Sequence, residues 1–140
     1  MIVLDTNVVS ELMRRSPDSA VETWAAGYAL EELFFSAVGE AELRYGAAIM
    51  PAGRRRETLA SDIESMLRAS FENRILPFDS AAARAYAEIA AACRAAGRPV
   101  SQPDGQIAAI AHSRGMAVAT RNIRDFEAMG IALINPWTSA

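Results

Sequence analysis

At 140 residues, 51% of them hydrophobic, the chain is long enough to bury one core and too short for two comfortable ones, so a single domain spanning residues 1–140 is expected. A net charge of −3 excludes a protein that holds nucleic acid through its overall field, while leaving room for a local basic patch. The lone cysteine, Cys93, excludes an internal disulfide and a multi-cysteine zinc site; no apolar run approaches the roughly 20 residues of a membrane span, so a cytoplasmic chain with no membrane partner is expected.

Met1 to Leu4 suits a strand and runs straight into Asp5-Thr6-Asn7, so the first strand ends in an acid. The carboxyl ends of parallel strands border the crevice where ligands sit, which aims Asp5 at a site. Thr6 or Asn7 is expected to cap a short helix through Met13, and Asp18 a second one with Val21, Trp24 and Ala25 on one face. Leu33–Ser36 reads as the second strand, and a helix over 37–50 follows it up to Pro51. The next helix, from Arg54 to about Ser70, carries Leu59, Ile63, Met66 and Leu67 at helical spacing. Residues 74–78 read as a third strand, and Asp79 caps an Ala-rich helix over 80–96 that stops at Gly97. Pro103-Asp104 opens a helix reaching Ser113, after which residues 116–120 form a fourth strand, 121–126 a charged turn and 130–134 a last strand. This alternation specifies an α/β fold with a central, mostly parallel sheet of four or five strands covered on both faces.

Helical geometry places Glu42 within roughly 60° of Val38, Tyr45, Gly46 and Ile49, with Glu40 and Arg44 on the other side, so Glu42 is expected on an inward face. Asp104 lies under Ile107, Ala108 and Ala111 by the same spacing. Two inward carboxylates and Asp5 at a strand end are costly to bury ionised without a cation, and a divalent metal answers that need. With no Cys or His pairing, the donor set selects Mg²⁺ or Mn²⁺ over zinc. Thr6 and Asn7 can order the Asp5 carboxylate or a bound water, and Thr120, Asn122 and Asp125 can supplement the same crevice. Magnesium held by a few acids binds substrate phosphate, so phosphodiester hydrolysis with metal-activated water follows as the reaction class. The one histidine, His112, has no nucleophile partner and reads as a surface residue.

In order along the chain, Asp5-Thr6-Asn7, Ala41-Glu42-Leu43-Arg44-Tyr45-Gly46, Asp104-Gly105-Gln106-Ile107-Ala108 and Ala119-Thr120-Arg121-Asn122 through Phe126 resemble the motifs of PIN-domain ribonucleases. The likeness is closest to VapC-type toxins of bacterial type II toxin-antitoxin pairs, in their FitB-like branch, and extends to Arg74 through Asp79 and Asn135-Pro136-Trp137. The resemblance implies an αβα sandwich and an Mg²⁺- or Mn²⁺-dependent endoribonuclease whose metal-site acids are Asp5, Glu42 and Asp104. The family's fourth acid falls in some members where this chain has Asn122, with Asp125 one turn later. It further implies a cognate antitoxin protein, an RNA substrate, a homodimer within a larger toxin-antitoxin complex, and DNA contact only through the antitoxin. Arg14, Arg15, Arg44, Arg121 and Arg124 are candidates to flank the crevice and bind RNA phosphates bidentately.

Other reactions fit less well. All 14 basic residues are Arg, and the missing lysine removes haloacid-dehalogenase-like phosphoryl transfer, a receiver domain and a P-loop. The haloacid-dehalogenase pattern also needs an acid where Asn7 stands. The rival from another class is a PIN-like binding module that sequesters antitoxin or RNA without turnover, a reading kept alive by Asn122.

Overall fold

The structure is a computed structural model and describes residues 1–139. Its five strands are β1 (Ile2–Leu4), β2 (Leu33–Ser36), β3 (Ile75–Leu76), β4 (Ala117–Ala119) and β5 (Leu133–Ile134). They pair in parallel throughout, in the order β3-β2-β1-β4-β5. Seven helices connect them: α1 (Thr6–Met13), α2 (Ser19–Ala26), α3 (Ala37–Ala48), α4 (Arg54–Phe71), α5 (Ser80–Ala95), α6 (Gln102–Ser113) and α7 (Ile123–Phe126). The expected sheet and its helical covering are therefore both present, with strands shorter than the apolar runs suggested. Residues 121–126, expected as a charged turn, contain α7 instead, because Phe126 is fully buried and the segment coils to deliver it.

Alternation along β1 divides the core. Val3 joins a cluster with the inner faces of α5 and α6, including Ala85, Ile89, Ile107 and Ile110. Ile2 and Leu4 point the other way, into a cluster with Val8, Val21, Trp24, Ile63 and Leu67 from α1, α2 and α4. Such two-sided burial accounts for the uninterrupted apolar character of the strand. Cys93 is buried in the first cluster, and its Sγ lies 3.4 Å from the Ala128 carbonyl, as a small apolar residue in a packed helix. Gly97 ends α5 with φ +74°, a conformation that favours glycine.

Close packing fixes how α3 leaves β2. Ser36 Oγ accepts the Gly39 N–H at 2.9 Å, and a Cβ on Gly39 would lie 2.4 Å from Cε1 of the fully buried Phe35. Gly39→Ala is therefore expected to lower stability by roughly 1–2 kcal/mol, since overpacking outweighs the better helix propensity of alanine. Urea unfolding checks this through a lower midpoint at unchanged slope, and a midpoint at or above wild type would show that the Phe35 ring has room to yield.

Candidate active site

In this sheet the strand order reverses at β1, which pairs with β2 on one side and β4 on the other. Crevices open at such switch points, beyond the carboxyl ends of the strands. Asp5 follows β1 and Thr120 follows β4, so the topology places both at that opening. The Asp5 N–H donates to the Ala119 carbonyl at 2.8 Å, and Thr120 Oγ1 donates to Asp5 Oδ2 at 2.8 Å. Both side chains are buried.

Asp5 also starts α1. Its Oδ1 accepts the Thr6 N–H at 2.8 Å, so the acid itself is the cap, and Thr6 and Asn7 lie inside the first turn. This corrects the expectation that Thr6 or Asn7 caps the helix; extended backbone at Asp5 (φ −69°, ψ 158°) brings the helix start one residue earlier. Asn7 braces the corner from both ends of its amide: Nδ2 lies 3.4 Å from Asp5 Oδ2, and Oδ1 accepts the Arg121 N–H at 3.3 Å. The Asn122 N–H donates to Thr120 Oγ1 at 3.0 Å, tying the segment after β4 into the same network.

Glu42 differs from its expectation. It is exposed, as are Tyr45, Gly46 and Ile49 on the same helical face, because α3 turns Gly39 and Ala47 inward and leaves this face open. Its carboxylate still faces the crevice, held by Thr6 Oγ1 at 2.6 Å. Asp104 is half-buried in the first turn of α6, where its N–H is capped by Ser101 Oγ at 3.3 Å. Asp5, Thr6, Asn7, Glu42, Asp104 and Asn122 thus line one cleft of about 540 Å³. Glu11, Arg14, Arg121 and Trp137 complete most of its wall.

Burial pushes the Asp5 carboxyl up to about 6, against the hydrogen bonds from Thr120 and Thr6, and the charges of Asp104 and Glu42 push in the same direction. Asp104 is also raised, first by burial and then by Asp125 and Glu42, with Ser101 opposing. Among the described residues no ion pair engages Asp5, Glu42 or Asp104. A buried, a half-buried and an exposed carboxylate that repel one another, with no ion pair to offset them, fit a hard divalent cation. The same side chains do not converge as a finished cage: no three His, Cys, Asp or Glu among the described residues stand close enough to chelate one ion together. That spacing suits a hard divalent ion that keeps several waters and takes few direct protein ligands.

The candidate arginines separate. Arg14 and Arg121 line the cleft, Arg14 pairing with Glu11 at 3.2 Å and Arg121 lying over the Trp137 ring at 4.9 Å. Arg124 lines a neighbouring hollow of about 440 Å³ with Arg98 and Asp125, and this hollow shares Asp104 with the main cleft. Arg15 is exposed outside the residues that line either. Arg44 bonds to Glu40 at 2.9 Å and also to Glu64 of α4, so it braces two helices away from the cleft. His112 is exposed, as expected.

Glu11 and Trp137 were not anticipated as site residues. Glu11 is buried and accepts the Asp18 N–H at 2.9 Å, joining α1 to the start of α2. The signal for it was present, because Asn7, Glu11 and Arg14 recur at helical spacing on one side of α1. Trp137 comes from beyond the last strand and carried no such signal.

The model of the PIN domain matches residues 2–131. The chain is 46% identical to the VapC ribonuclease Y4jK of Sinorhizobium fredii over 140 residues, covering all of both chains. It is also similar to the crystal structure of FitAcB from Neisseria gonorrhoeae, with a TM-score of 0.92, 39% identity and coverage of 99% of this chain and 100% of the other. A third likeness is to VapBC-5 of Mycobacterium tuberculosis, described as a member of the VapBC family of toxin-antitoxin systems, with a TM-score of 0.68, 31% identity and coverage of 95% and 96%. The acid-ended central strand, the switch-point cleft and these matches have one common account: the chain belongs to the PIN-domain family.

Proposed function

We propose that this chain, acting as a single domain, is a metal-dependent endoribonuclease and the toxin of a toxin-antitoxin pair. The observation that carries this reading is the group of unneutralised carboxylates Asp5, Glu42 and Asp104 lining the switch-point cleft. The ribonuclease name of the Sinorhizobium relative, matched over both full lengths, supports the reaction class. Those acids would hold Mg²⁺ or Mn²⁺ with only part of the set as direct ligands and the rest acting through the ion's waters. A divalent ion bound there supplies Lewis acidity towards a phosphodiester and lowers the pKa of water.

The chain's own side chains do the rest. Thr120 and the Thr6 N–H hold the Asp5 carboxylate in a fixed rotamer, and Thr6 Oγ1 does the same for Glu42. Asn122, where some members of the family carry their fourth acid, offers an amide to the cleft, and Asp125 beyond Asp104 is the other candidate for that role. Arg14 and Arg121 present guanidinium groups that suit RNA phosphates.

A cognate antitoxin is supported by the likeness to a toxin-antitoxin system and by a second concavity. An apolar groove of about 530 Å³, lined by Leu12 and Met13 of α1, Ala25 of α2 and Met66 of α4, suits an amphipathic segment of a partner, with any DNA contact made by that partner. Exposed Tyr45 and Ile49 offer apolar surface to a second copy in a homodimer, which light scattering of the purified toxin tests.

Labelled RNA incubated with the purified protein is expected to be cleaved with Mg²⁺ or Mn²⁺ and to stay intact in EDTA. Intact RNA under every metal condition, with retained affinity for a co-expressed antitoxin, would instead establish the binding-only module that Asn122 keeps open.

A further inference from the structure

Arg121 lines a cleft bordered by four acids, Asp5, Glu11, Glu42 and Asp104, yet among the described residues its guanidinium has no carboxylate partner. It lies instead over the indole of Trp137, with Cζ at 4.9 Å from the ring centroid. Both ends of this contact are anchored. The Arg121 N–H donates to Asn7 Oδ1 at 3.3 Å, and the Trp137 N–H donates to Asn135 Oδ1 at 3.0 Å. The indole is half-buried against the core cluster of α1, α2 and α4, so it cannot follow a departing arginine. An exposed ion pair is worth little in water, and a guanidinium over an indole face is worth as much or more, so the ring competes well with the acids for Arg121.

Resting on the metal-dependent ribonuclease reading, we propose that Trp137 is a positioning residue that holds Arg121 off the metal-site carboxylates. It thereby keeps those acids available to a divalent ion and the guanidinium available to a substrate phosphate. Without the ring, Arg121 turns to Asp5, Glu42 or Asp104 and competes with the metal as a tethered cation. Arg14 needs no such device, because Glu11 already engages it.

The test is Mn²⁺ titration by calorimetry on the purified full chain, without RNA. Trp137→Leu is expected to weaken Mn²⁺ binding by about two- to fivefold, the range an exposed cation–π contact spans, while Trp137→Phe keeps an aromatic face and stays near wild type. The double variant Trp137→Leu/Arg121→Gln is expected to recover wild-type Mn²⁺ affinity while its KM for RNA stays raised. Undiminished Mn²⁺ binding by Trp137→Leu would overturn the proposal. A loss that persists undiminished in the double variant would also overturn it, by reducing Trp137 to a packing role.

Should Trp137→Leu fail to fold, Arg121→Gln alone decides. An arginine already held by the indole leaves Mn²⁺ affinity within about twofold on removal and raises KM more than it lowers kcat, since an exposed and screened charge acts weakly at a distance. A markedly tighter Mn²⁺ affinity in that variant would mean that Arg121 already neutralises the acids. The metal titrations hold whether or not RNA is cleaved, so failure of the ribonuclease reading and failure of this proposal are separate outcomes.

Discussion

Asp5→Asn is expected to lower metal-dependent RNA cleavage by at least about a hundredfold, more than the loss usual for a residue that only orients a metal ligand, and to leave the fold intact. The two parts of this expectation come from different properties of one side chain. As an anion, Asp5 is the most buried of the three acids and the one held by Thr120, Thr6 and Asn7 together. An amide removes that charge but keeps the oxygen that accepts the Thr6 N–H, and Asn caps helices about as well as Asp. Its –NH₂ takes the place of the oxygen that accepted the Thr120 hydroxyl and faced Asn7 Nδ2, so the Thr120 hydroxyl must find another acceptor, a cost that offsets part of the gain from removing the charge. Burial of the ionised carboxyl opposes folding in the metal-free chain, and the variant escapes that penalty. Loss of cleavage should therefore come with unchanged or higher thermal stability. Asp104→Asn is expected to abolish cleavage too, with a smaller gain in stability because Asp104 is only half-buried. Circular dichroism melts beside cleavage assays check both variants, and undiminished cleavage by both would overturn the assignment of these acids.

Much of this was legible in the chain. Asp5 announces itself because an apolar run that ends in an acid has few other uses, and the parallel sheet supplies the reason for its position. The five strands and the larger helices follow from apolar spacing and from caps such as Asp18, Asp79 and Gly97, where local chemistry decides the outcome. Glu42 was misread for a tertiary reason. Helical spacing shows which residues share a face, but not whether that face meets the core or a cleft, and Tyr45 and Ile49 made an open face look closed. The place of Arg44 was hidden for a similar reason, because Glu64 comes from a different helix and no local pattern reveals the pairing. Trp137 reaches the site only through the course of the chain after β5, which is information carried by the fold and not by neighbouring residues.

The same burial at Asp5 makes metal-induced stabilisation depend on pH. In the folded, metal-free protein the Asp5 carboxyl is raised to about 6, whereas in an unfolded chain it sits near the ordinary value of about 4. The folded state then binds this proton more tightly, and the stability so gained is full below about pH 4 and lost as pH rises through about 6. A shift of about two units corresponds to roughly 3 kcal/mol between those limits. Asp104 is displaced in the same direction and adds to the trend. A divalent ion takes the proton's place, so it should stabilise strongly at pH 8, where the acids are ionised, and weakly at pH 5, where protons compete. At about 3 °C of melting temperature for each kcal/mol in a chain of this size, Mg²⁺ or Mn²⁺ should raise Tm several degrees more at pH 8 than at pH 5. Asp5→Asn should remove most of that difference. Thermal melts in EDTA and in excess metal, at both pH values and for both proteins, decide the matter. A metal-induced rise that is equal at the two pH values, or that survives intact in Asp5→Asn, would show that the ion binds elsewhere.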